Sequence, residues 1–288
     1  VAHIHGIYEY RNWELTSSFL RLKIPYIFTI HGNLMPLALK KGYIKKCIAI
    51  NLFVRKMLNQ SGYIHALSGE EAASIQRISI GQIKIIPNGV TKVRENPRIP
   101  LEKGSRKLEL LFLGRIDVHH KGIDILFQAL QKLEQKDKKK IHVTIAGPCK
   151  TKSAKIYLDA ELKKFDSSFV NYVGPAYNAE KTLLMQKADF FVLTSRYEGM
   201  PMAVLEAISE GLPCIITPET NMADIIKLAN AGIIVQSTPN SIVRGIEQIL
   251  KEDQEYIINF QWVKEHLLWN VIVKQYEEMY GEVKAIWK

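Results

Sequence analysis

The chain has 288 residues, of which 47% are apolar, and this predicts a large core in more than one domain. Its three cysteines are widely spaced and form no C-x-x-C pair, which predicts a protein of the reducing cytoplasm without a structural zinc. No apolar run reaches the roughly 18 to 20 residues of a membrane-spanning helix, and the first residues lack the layout of a signal peptide. The net charge of +10 comes from one third of the chain, because residues 1–107 hold 17 Lys and Arg against 6 Asp and Glu.

The first hundred residues predict the later part of a β/α unit. Short apolar runs indicate strands, and the segments between them have helical periodicity. Four strands are few for such a domain and the chain opens almost directly on a strand, so we expect this domain, residues 1–90, to be incomplete at its start. Strands are predicted at 2–5, 26–30, 63–67 and 83–86, and helices at 13–22, 34–58 and 70–78.

A basic amphipathic segment lies within the predicted helix 34–58. Between residues 40 and 56 it has six Lys and Arg, no Asp or Glu, and apolar side chains between them. Such a segment suits an anionic membrane surface, which would place the protein peripherally on the inner face of the membrane. A solvated helix face on a basic protein is the simpler alternative. The basic residues are Lys40, Lys41, Lys45, Lys46, Arg55 and Lys56.

Residues 91–107, rich in proline and charge, predict a linker. Beyond it, strands alternate with helices in residues 108–255, which predicts a doubly wound parallel sheet of about six strands. A ligand of such a sheet binds at the carboxyl ends of the strands, where the strand order reverses. An aromatic-rich helical tail, broken near Asn270, is predicted for residues 256–288. Strands are predicted at 108–113, 141–146, 169–173, 190–194, 214–217 and 233–235, and helices at 123–133, 153–165, 179–188, 202–209 and 241–250.

Two cations and two carboxylates follow predicted strands of this second domain. Arg115 and Lys121 follow its first strand, and Glu198 and Glu206, eight residues apart, follow its fourth. Phosphates are bound by cations and by helix N-terminal amides, whereas hydroxyls of ribose and sugar donate to carboxylates. The combination indicates a site for a sugar linked to a nucleotide diphosphate.

Each of these residues also has a simpler interpretation. Glu206 fits an exposed helix position, and Lys121 fits the first charge of a surface helix. Arg115 fits an ion pair with Asp117 or Asp124. The occurrence of all four charges after the ends of strands favours a binding site.

Histidines contribute a second set of candidates. His31, with Gly32 behind it, ends a predicted strand, where a neutral imidazole can donate to a sugar hydroxyl or orient an acceptor, or can serve as a polar cap. His3 and His5 form an H-x-H pair, but no cluster with metal-ligand spacing follows and no D-x-D motif occurs. We therefore expect no metal ion.

Five short motifs follow one another along the chain: I-P-N-G-V (86–90), F-L-G-R-x5-K-G (112–122), V-x-Y-V-G-P (170–175), A-D-F-F-V-L-T-S-R-Y-E-G-M-P-M-A-V-L-E-A (188–207) and G-L-P-C-I (211–215). In this order they resemble the family-4 retaining glycosyltransferases of the GT-B fold, over nearly the whole chain. The early H-I-H-G and T-I-H-G-N-L resemble the acceptor-side domain of bacterial members that assemble polysaccharides or lipid-linked saccharides. The resemblance implies two Rossmann-like domains, the N-terminal one incomplete, with the tail crossing back to the N-terminal domain.

The resemblance also implies roles for individual residues. Arg115 and Lys121 would hold the donor diphosphate and neutralise it as it leaves. Glu198 would contact the hydroxyls of the transferred sugar, Glu206 would bind the ribose, and His31 would lie in the interdomain cleft close to the donor sugar. The remaining implied donor-binding residues are Gly114, Asn88, Gly199, Met200 and Met202, with Pro201 in the first turn of a helix.

The implied function is retaining transfer of a sugar from a nucleotide-sugar donor to a saccharide or lipid-linked acceptor, without a metal and with no evident protein nucleophile. Three other functions stay open. A nucleotide-sugar 2-epimerase shares the fold but needs further acids and histidines. A non-catalytic nucleotide-sugar-binding partner of a polysaccharide complex fits a shortened chain, because no glycine-rich loop of the family precedes Val1. A nucleic-acid-binding protein would explain the basic third, yet no DNA- or RNA-binding motif is found, so we expect no nucleic acid partner.

Overall fold

The computed structural model describes residues 1–40, 42–96, 98, 106–251 and 256–287. The chain forms two compact units. The first contains Val1–Thr91, Tyr197–Met200 and His266–Lys288, and the second contains Lys92–Arg196 and Pro201–Glu265. Part of the predicted linker 91–107 lies outside the described residues.

A four-stranded parallel sheet forms the centre of the first unit. It contains Ala2–His5 (β1), Tyr26–Thr29 (β2), Tyr63–Ala66 (β3) and Ile83–Ile85 (β4). The strand order follows the chain, β1-β2-β3-β4, close to the four predicted strands. Successive residues of β2 are fully buried on opposite faces, which requires helices on both sides of the sheet. The helices between the strands are Tyr10–Arg21 (α1), Pro36–Lys40 (α2), Tyr43–Ala49 (α3), Arg55–Asn59 (α4) and Gly69–Gln76 (α5).

The single helix predicted for residues 34–58 is wrong. Gly42 adopts a left-handed conformation with φ of +72° between α2 and α3, which an α-helix cannot continue through. A π-helical turn, Ile50–Val54, then separates α3 from α4. Lys41, one of the six basic residues of this segment, lies outside the described part of the chain.

A six-stranded parallel sheet forms the centre of the second unit. Its strands are Leu108–Leu113 (β5), Ile141–Ala146 (β6), Val170–Tyr172 (β7), Phe190–Leu193 (β8), Cys214–Ile216 (β9) and Gly232–Ile234 (β10). The order is β10-β9-β8-β5-β6-β7. The chain therefore builds outward from β5 through β7, and then returns to place β8 on the other side of β5. The predicted doubly wound sheet is confirmed, with its switch point between β5 and β8.

Helices of varied length connect these strands. The longer ones alternate with the strands as predicted, whereas α7 and α11 have only four and six residues and give no periodic signal in the sequence. None of the described helices is both long enough and apolar enough to cross a membrane. The helices are Ile123–Lys132 (α6), Gln135–Lys138 (α7), Lys152–Leu162 (α8), Asn178–Lys187 (α9), Met202–Ser209 (α10), Ala223–Leu228 (α11) and Pro239–Lys251 (α12).

The tail consists of two helices, Phe260–Leu267 (α13) and Trp269–Ile286 (α14). They are separated at Leu268, which is extended, two residues before the predicted break at Asn270. Val90 holds this point, because its amide donates to the carbonyl of Leu267 at 2.7 Å and its carbonyl accepts from the amide of Trp269 at 3.0 Å. Apolar side chains of α14 then pack within the first unit; the buried cluster contains Ile27, Ile86, Ile272, Met279 and Val283.

A chain of hydrogen bonds connects α14 with β1, β2 and β3. Nε2 of His65 lies 2.7 Å from the carbonyl oxygen of Ile86, which can only accept, so Nε2 carries the proton and Nδ1 of the neutral ring accepts. Thr29 Oγ1 then donates to Nδ1 of His65 at 2.7 Å and accepts from Nε2 of His3 at 2.6 Å. Nδ1 of His3 accepts from the Tyr280 hydroxyl at 2.8 Å. One carbonyl thus fixes the direction of four hydrogen bonds.

The two histidines in this chain of hydrogen bonds, His3 and His65, are held neutral. Burial is the largest cause of the lowered pKa of His3, with neighbouring histidines adding to it, and that pKa falls to about 3. For His65, burial outweighs the opposing hydrogen bond to the Ile86 carbonyl and lowers the pKa to about 4. Protonation of either ring would put a donor where the chain of hydrogen bonds needs an acceptor.

We predict that His3 and His65 lower the free energy of unfolding as the pH falls from about 6.5 towards 4. The unfolded chain protonates both histidines near pH 6.5, whereas the folded rings stay neutral, so the unfolded state binds more protons throughout this window. Each ring should add a slope of up to about 1.4 kcal/mol per pH unit. Urea denaturation at pH 7.5, 6 and 5 measures this slope.

The control for this prediction is His3→Gln, which removes one titrating ring and keeps an amide able to donate. Its slope should be smaller than that of the wild type by about one proton. An unchanged slope would show that His3 does not exclude protons in the folded state.

Candidate functional site

A tight loop, residues 114–122, follows β5 at the switch point of the second unit. Its start is packed against the end of β6, since a Cβ atom at Gly147 would lie 1.9 Å from the carbonyl oxygen of Gly114. The backbone amide of Ile116 donates to the carbonyl of Pro148 at 2.8 Å, and the backbone amide of Lys121 donates to the backbone carbonyl of Asp117 at 2.9 Å. These bonds give the loop one defined backbone path past the carboxyl edge of the sheet.

Gly122 closes the same loop against the end of β8. A Cβ atom here would lie 1.9 Å from the carbonyl oxygen of Thr194, and φ is +63°, so only glycine fits. The Thr194 hydroxyl donates to the carbonyl of Gly122 at 2.9 Å. The loops after β5 and β8 are therefore in direct backbone contact.

The two predicted cations of this loop differ in their surroundings. The Arg115 side chain is exposed and makes no hydrogen bond or ion pair with any residue that the structure describes. Lys121 is partly buried. The alternative in which Arg115 pairs with Asp117 or Asp124 is wrong, because both carboxylates have other partners.

Asp117 is bound by Lys150, which follows β6. Burial alone would raise the pKa of Asp117, but the hydrogen bond and charge of Lys150, with His120 contributing, lower it below its usual value. This ion pair is part of the loop's structure and leaves the Arg115 guanidinium available to a ligand.

Asp124 is bound by Arg196, a residue that the sequence analysis did not select. The guanidinium makes two parallel bonds to the carboxylate, of 2.7 and 2.6 Å, and Nη1 also donates to the carbonyl of His119 at 2.7 Å. The amide of Arg196 donates to the carbonyl of His120 at 2.9 Å. Arg196 thus fastens the β8 loop to the loop that carries Arg115 and Lys121. Its place within the S-R-Y-E-G motif was the available signal.

Glu206 lies on α10, the helix that follows the β8 loop. Its Oε1 is 2.7 Å from Nζ of Lys181 on α9, and both side chains are partly buried. The simpler alternative of an exposed helix residue is therefore wrong, because Glu206 is partly buried. Lys181 was also missed by the sequence analysis, and no local pattern indicates it.

Pro201 was predicted in the first turn of α10, but it precedes the helix. It is the N-cap residue with ψ of 118°, and the helix begins at Met202. Met202 is exposed, at 40% of its surface, and Met200 is buried at 6%. The two methionines predicted to bind a donor therefore differ, and Met200 contributes backbone atoms at most.

His31 and Gly32 form a turn after β2 in the first unit. Both residues have positive φ, 52° and 73°. The buried carboxylate of Glu71 holds this turn, because it accepts from the amide of Gly32 and, at 2.7 Å, from the amide of Leu67. Burial raises the pKa of Glu71 against the opposing effect of these two bonds. The S-x-x-E pattern of residues 68–71 predicts helix capping and could have drawn attention to Glu71.

The segment Tyr197–Met200 belongs to the same unit and lies against this turn. A Cβ atom at Gly199 would be 3.1 Å from the backbone carbon of His31, so glycine permits the close approach. The side chain of Asn88 donates to the carbonyl of Met200 at 3.2 Å. The structure therefore brings His31, Glu198, Gly199 and Asn88 into one neighbourhood of the first unit.

Among the residues that the structure describes, no group of three or more His, Cys, Asp or Glu side chains is arranged to hold a metal ion. The histidines of the H-x-H pair bond to other side chains instead. His3 bonds to Tyr280 and Thr29, and His5 bonds to His31.

A family model described as "Glycosyl transferases group 1" matches residues 93–260, which is more than half of the chain. The chain belongs to this family. The match contains β5 to β10 and the loops that carry Arg115, Lys121, Glu198 and Glu206.

Three relatives share 23% to 28% of the aligned residues with this chain. An uncharacterized glycosyltransferase of Methanocaldococcus jannaschii is 26% identical over 227 residues, 73% of this chain and 57% of that protein. The GDP-mannose:cellobiosyl-diphosphopolyprenol alpha-mannosyltransferase of Komagataeibacter xylinus is 28% identical over 188 residues, 64% of this chain and 45% of that protein. The chain spans about half the length of these two relatives.

A third relative matches more of the chain. The N,N'-diacetylbacillosaminyl-diphospho-undecaprenol alpha-1,3-N-acetylgalactosaminyltransferase of Campylobacter jejuni is 23% identical over 279 residues, 91% of this chain and 72% of that protein.

Solved structures of similar fold confirm the predicted GT-B architecture. Sucrose-phosphate synthase from Thermosynechococcus elongatus has a TM-score of 0.76 at 18% identity, covering 98% of this chain and 73% of that chain. Anabaena HepE, in complex with UDP-glucose, has a TM-score of 0.74 at 14% identity, covering 99% of this chain and 79% of that chain. At these identities the likeness concerns the fold alone.

We predict that Arg196→Gln destabilises this glycosyltransferase chain by about 1 to 3 kcal/mol. The substitution leaves the partly buried Asp124 without its guanidinium and frees the carbonyl of His119. Arg115→Gln, which replaces an exposed cation, should change stability by less than about 0.5 kcal/mol. Urea denaturation of the two variants compares a structural arginine with a solvent-facing one in the same pair of loops.

A double-mutant cycle with Asp124→Asn identifies the interaction itself. If Arg196→Gln costs the same in the Asp124→Asn background as in the wild type, the two side chains do not stabilise each other.

Proposed function

We propose that this chain is the sugar-transferring part of a retaining glycosyltransferase that moves a sugar from a nucleotide diphosphate to a hydroxyl acceptor in surface polysaccharide or glycolipid assembly. The observation that carries the proposal is Arg115. It is an exposed arginine without a partner among the described residues, on a rigid loop at the switch point, where ligands of doubly wound sheets bind.

Arg115 and Lys121 bind the diphosphate in this proposal. They lie on one loop whose backbone is fixed by Gly122 and Arg196, so the backbone positions of both residues are set before a ligand arrives. Preorganised charge in a water-poor site stabilises developing negative charge most effectively. The two side chains would therefore both bind the donor and stabilise the departing nucleotide diphosphate, and the proposal needs no metal ion for this step.

The carboxylates bind hydroxyl groups. Glu206 uses Oε1 for Lys181, and because a carboxylate has about four acceptor sites, Oε2 stays available for the ribose. Glu198 would accept from hydroxyls of the transferred sugar, next to the His31 turn. Neither carboxylate acts as the acid or base of a glycoside hydrolase. Attack on the face from which the diphosphate departs accounts for retention without a protein nucleophile.

Backbone groups complete the donor site. Gly114 and Gly199 allow a ligand to approach the main chain. The amide of Met202 lies at the start of α10, and the amide of Met200 lies just before its N-cap residue. Asn88 contributes indirectly, since its amide nitrogen holds the Met200 carbonyl.

The names of the relatives support this class of donor and acceptor. One relative is named as using GDP-mannose and a diphosphopolyprenol-linked acceptor, and another as acting on a diphospho-undecaprenol acceptor. A fold neighbour was solved with UDP-glucose. The alternative for this chain alone is a non-catalytic nucleotide-sugar-binding partner, which would bind donors without turnover. A further alternative is a nucleotide-sugar 2-epimerase, which would change the sugar without releasing the nucleotide.

An anionic membrane surface is the partner that we propose for the segment from α3 to α4. Ile44, Ile48 and Leu52 follow one another at four-residue spacing, and they are exposed at 73%, 54% and 62%. Lys45 follows Ile44, Lys56 comes after Leu52, and both lysines are exposed too. No Asp or Glu occurs between residues 15 and 69. A basic surface with exposed apolar side chains has the two attractions that hold interfacial helices on anionic lipid.

Aromatic side chains extend this surface. Phe53, exposed at 43%, stacks on Trp13 of α1 with ring centroids 4.5 Å apart, and Tyr10 lies edge-on to Trp13. Aromatic rings are enriched at membrane interfaces. A lipid-linked acceptor would be presented at such a surface.

We predict that Arg115→Ala and Lys121→Ala each weaken binding of UDP, GDP or ADP, whichever binds the wild type, by about 1.5 to 3 kcal/mol. Binding of the corresponding nucleoside should change little, because it lacks the phosphates. Isothermal calorimetry measures both, after a thermal-shift panel has selected the base.

Lys139→Ala is the matched control. Lys139 is an exposed lysine just before β6, at the amino edge of the same sheet. Equal losses for nucleotide and nucleoside, or an equal effect of Lys139→Ala, would contradict the diphosphate role.

For the membrane surface, we predict that replacing Lys40, Lys45 and Lys56 by Gln lowers partitioning onto anionic vesicles by about 1 kcal/mol for each lysine. Sedimentation with phosphatidylglycerol-containing and pure phosphatidylcholine vesicles measures it. The control replaces Lys136, Lys139 and Lys140, which are exposed in the second unit. Equal partitioning of the wild type onto both vesicle types would reject the proposal.

A further inference from the structure

Three imidazoles lie next to one another in the first unit. The rings of His3 and His5 stack with centroids 4.6 Å apart and planes 24° apart, whereas the rings of His5 and His31 lie side by side, with centroids 5.1 Å apart and planes 22° apart. In addition, Nδ1 of His5 lies 2.8 Å from Nε2 of His31, a hydrogen-bond distance. His5 therefore contacts His31 edge to edge, through one ring nitrogen of each residue.

The His3 ring and the backbone of His5 are held in place by hydrogen bonds. Both ring nitrogens of His3 are occupied, by Tyr280 and Thr29. The backbone at the end of β1 is fixed by Asn12, whose side chain donates to the carbonyls of His5 and Gly6 at 3.1 and 2.8 Å. His5 thus packs against a fixed ring and has a fixed backbone, and its hydrogen bond restricts the orientation of the His31 ring.

The hydrogen bond between His5 and His31 also couples their tautomers. A neutral imidazole has one protonated and one bare nitrogen. If Nδ1 of His5 carries the shared proton, Nε2 of His31 is bare, and the proton of His31 must be on its Nδ1. If Nε2 of His31 carries it, Nδ1 of His5 is bare, and the proton of His5 is on its Nε2. Both rings are therefore protonated at Nδ1, or both at Nε2.

A consequence follows for any ligand of His31. Its Nε2 is committed to His5, and Nδ1 makes no bond to a residue that the structure describes. Nδ1 is therefore the ring nitrogen that a ligand hydroxyl can reach. The ring remains neutral near pH 7, because burial, with His5 adding to it, lowers the pKa of His31.

We propose that His5 is a positioning residue of the sugar-binding site, holding His31 by its Nε2 so that Nδ1 is directed to a hydroxyl of the donor sugar. The inference rests on the proposed function for the identity of the ligand, but the coupling of the two rings does not. A sugar hydroxyl both donates and accepts, so either coupled tautomer can serve it, and the fixed orientation of the ring is what His5 contributes.

The first test needs no activity. In the full chain labelled with 15N-histidine, at pH 8 where histidines are ordinarily neutral, two-bond 15N–1H spectra identify the protonated nitrogen of each ring. We expect His5 and His31 to show the same tautomer. Opposite tautomers, or a His31 ring that averages between tautomers as in a free imidazole, would overturn the inference.

The second test uses two substitutions of the exposed His5. His5→Leu removes the hydrogen bond, whereas His5→Asn retains an amide near the position of Nδ1. We expect His5→Leu to release His31 into tautomer averaging and His5→Asn to keep one tautomer. The ratio of affinities for UDP-glucose over UDP, or GDP-mannose over GDP, should fall by roughly three- to tenfold in His5→Leu, the value of one hydrogen bond, and recover in His5→Asn.

The outcomes separate the two proposals. If the wild type binds neither nucleotide nor nucleotide-sugar, the proposed function fails, while the spectra still decide whether the rings are coupled. If the wild type prefers the nucleotide-sugar and His5→Leu keeps the same preference, the positioning role is overturned although the proposed function stands. A uniform loss of affinity for UDP and UDP-glucose in His5→Leu, with a lowered unfolding midpoint, would likewise reject positioning in favour of a purely structural role.

Discussion

The backbone contact between Gly122 and Thr194 is the constraint on which the candidate site in the second unit depends. A Cβ atom at position 122 would lie only 1.9 Å from the carbonyl oxygen of Thr194, so no residue other than glycine allows the loop after β5 to close on the end of β8. This contact lies between the two strands at which the sheet reverses its order. The residues that follow β5 and β8 are brought together by backbone packing before any side chain contributes.

Side-chain charges then divide into two groups. Arg196, Lys150 and Lys181 have carboxylate partners within the second unit. Arg115, on the same short loop as Asp117, has no carboxylate partner in the part of the chain that the structure describes. An exposed arginine on a mobile loop would not by itself indicate a binding site, but here the loop is fixed by a bidentate ion pair and by several backbone hydrogen bonds. A cation on a fixed backbone, without a partner among the described residues, is suited to an anionic ligand, because folding has already met the cost of ordering the loop that carries it.

Much of the fold and part of the site could be predicted from the sequence. The strands are apolar runs at regular spacing, so their positions were predictable to within a few residues, and the motifs placed Arg115, Lys121 and Glu206 after the correct strands. The partners were not predictable, because Arg196 and Asp124 are 72 residues apart and Glu71 and Gly32 are 39 apart. Such pairs depend on how neighbouring strands align. Gly42 is a different case, since a glycine inside a helical pattern was a visible warning against one continuous helix.

In the first unit, two separate interactions order the turn that carries His31. The carboxylate of Glu71 fixes its backbone through the amide of Gly32, and His5 fixes its ring. Gly32 adopts positive φ freely, but His31, with φ of 52°, stores conformational strain, and an unsupported turn of this kind would relax into several conformations. Fixing the backbone alone would still leave the imidazole free to rotate about its side-chain bonds. Since binding a sugar hydroxyl then costs less ordering of the protein, the hydrogen bond from His5 makes His31 a better ligand than its position at the end of a strand would suggest.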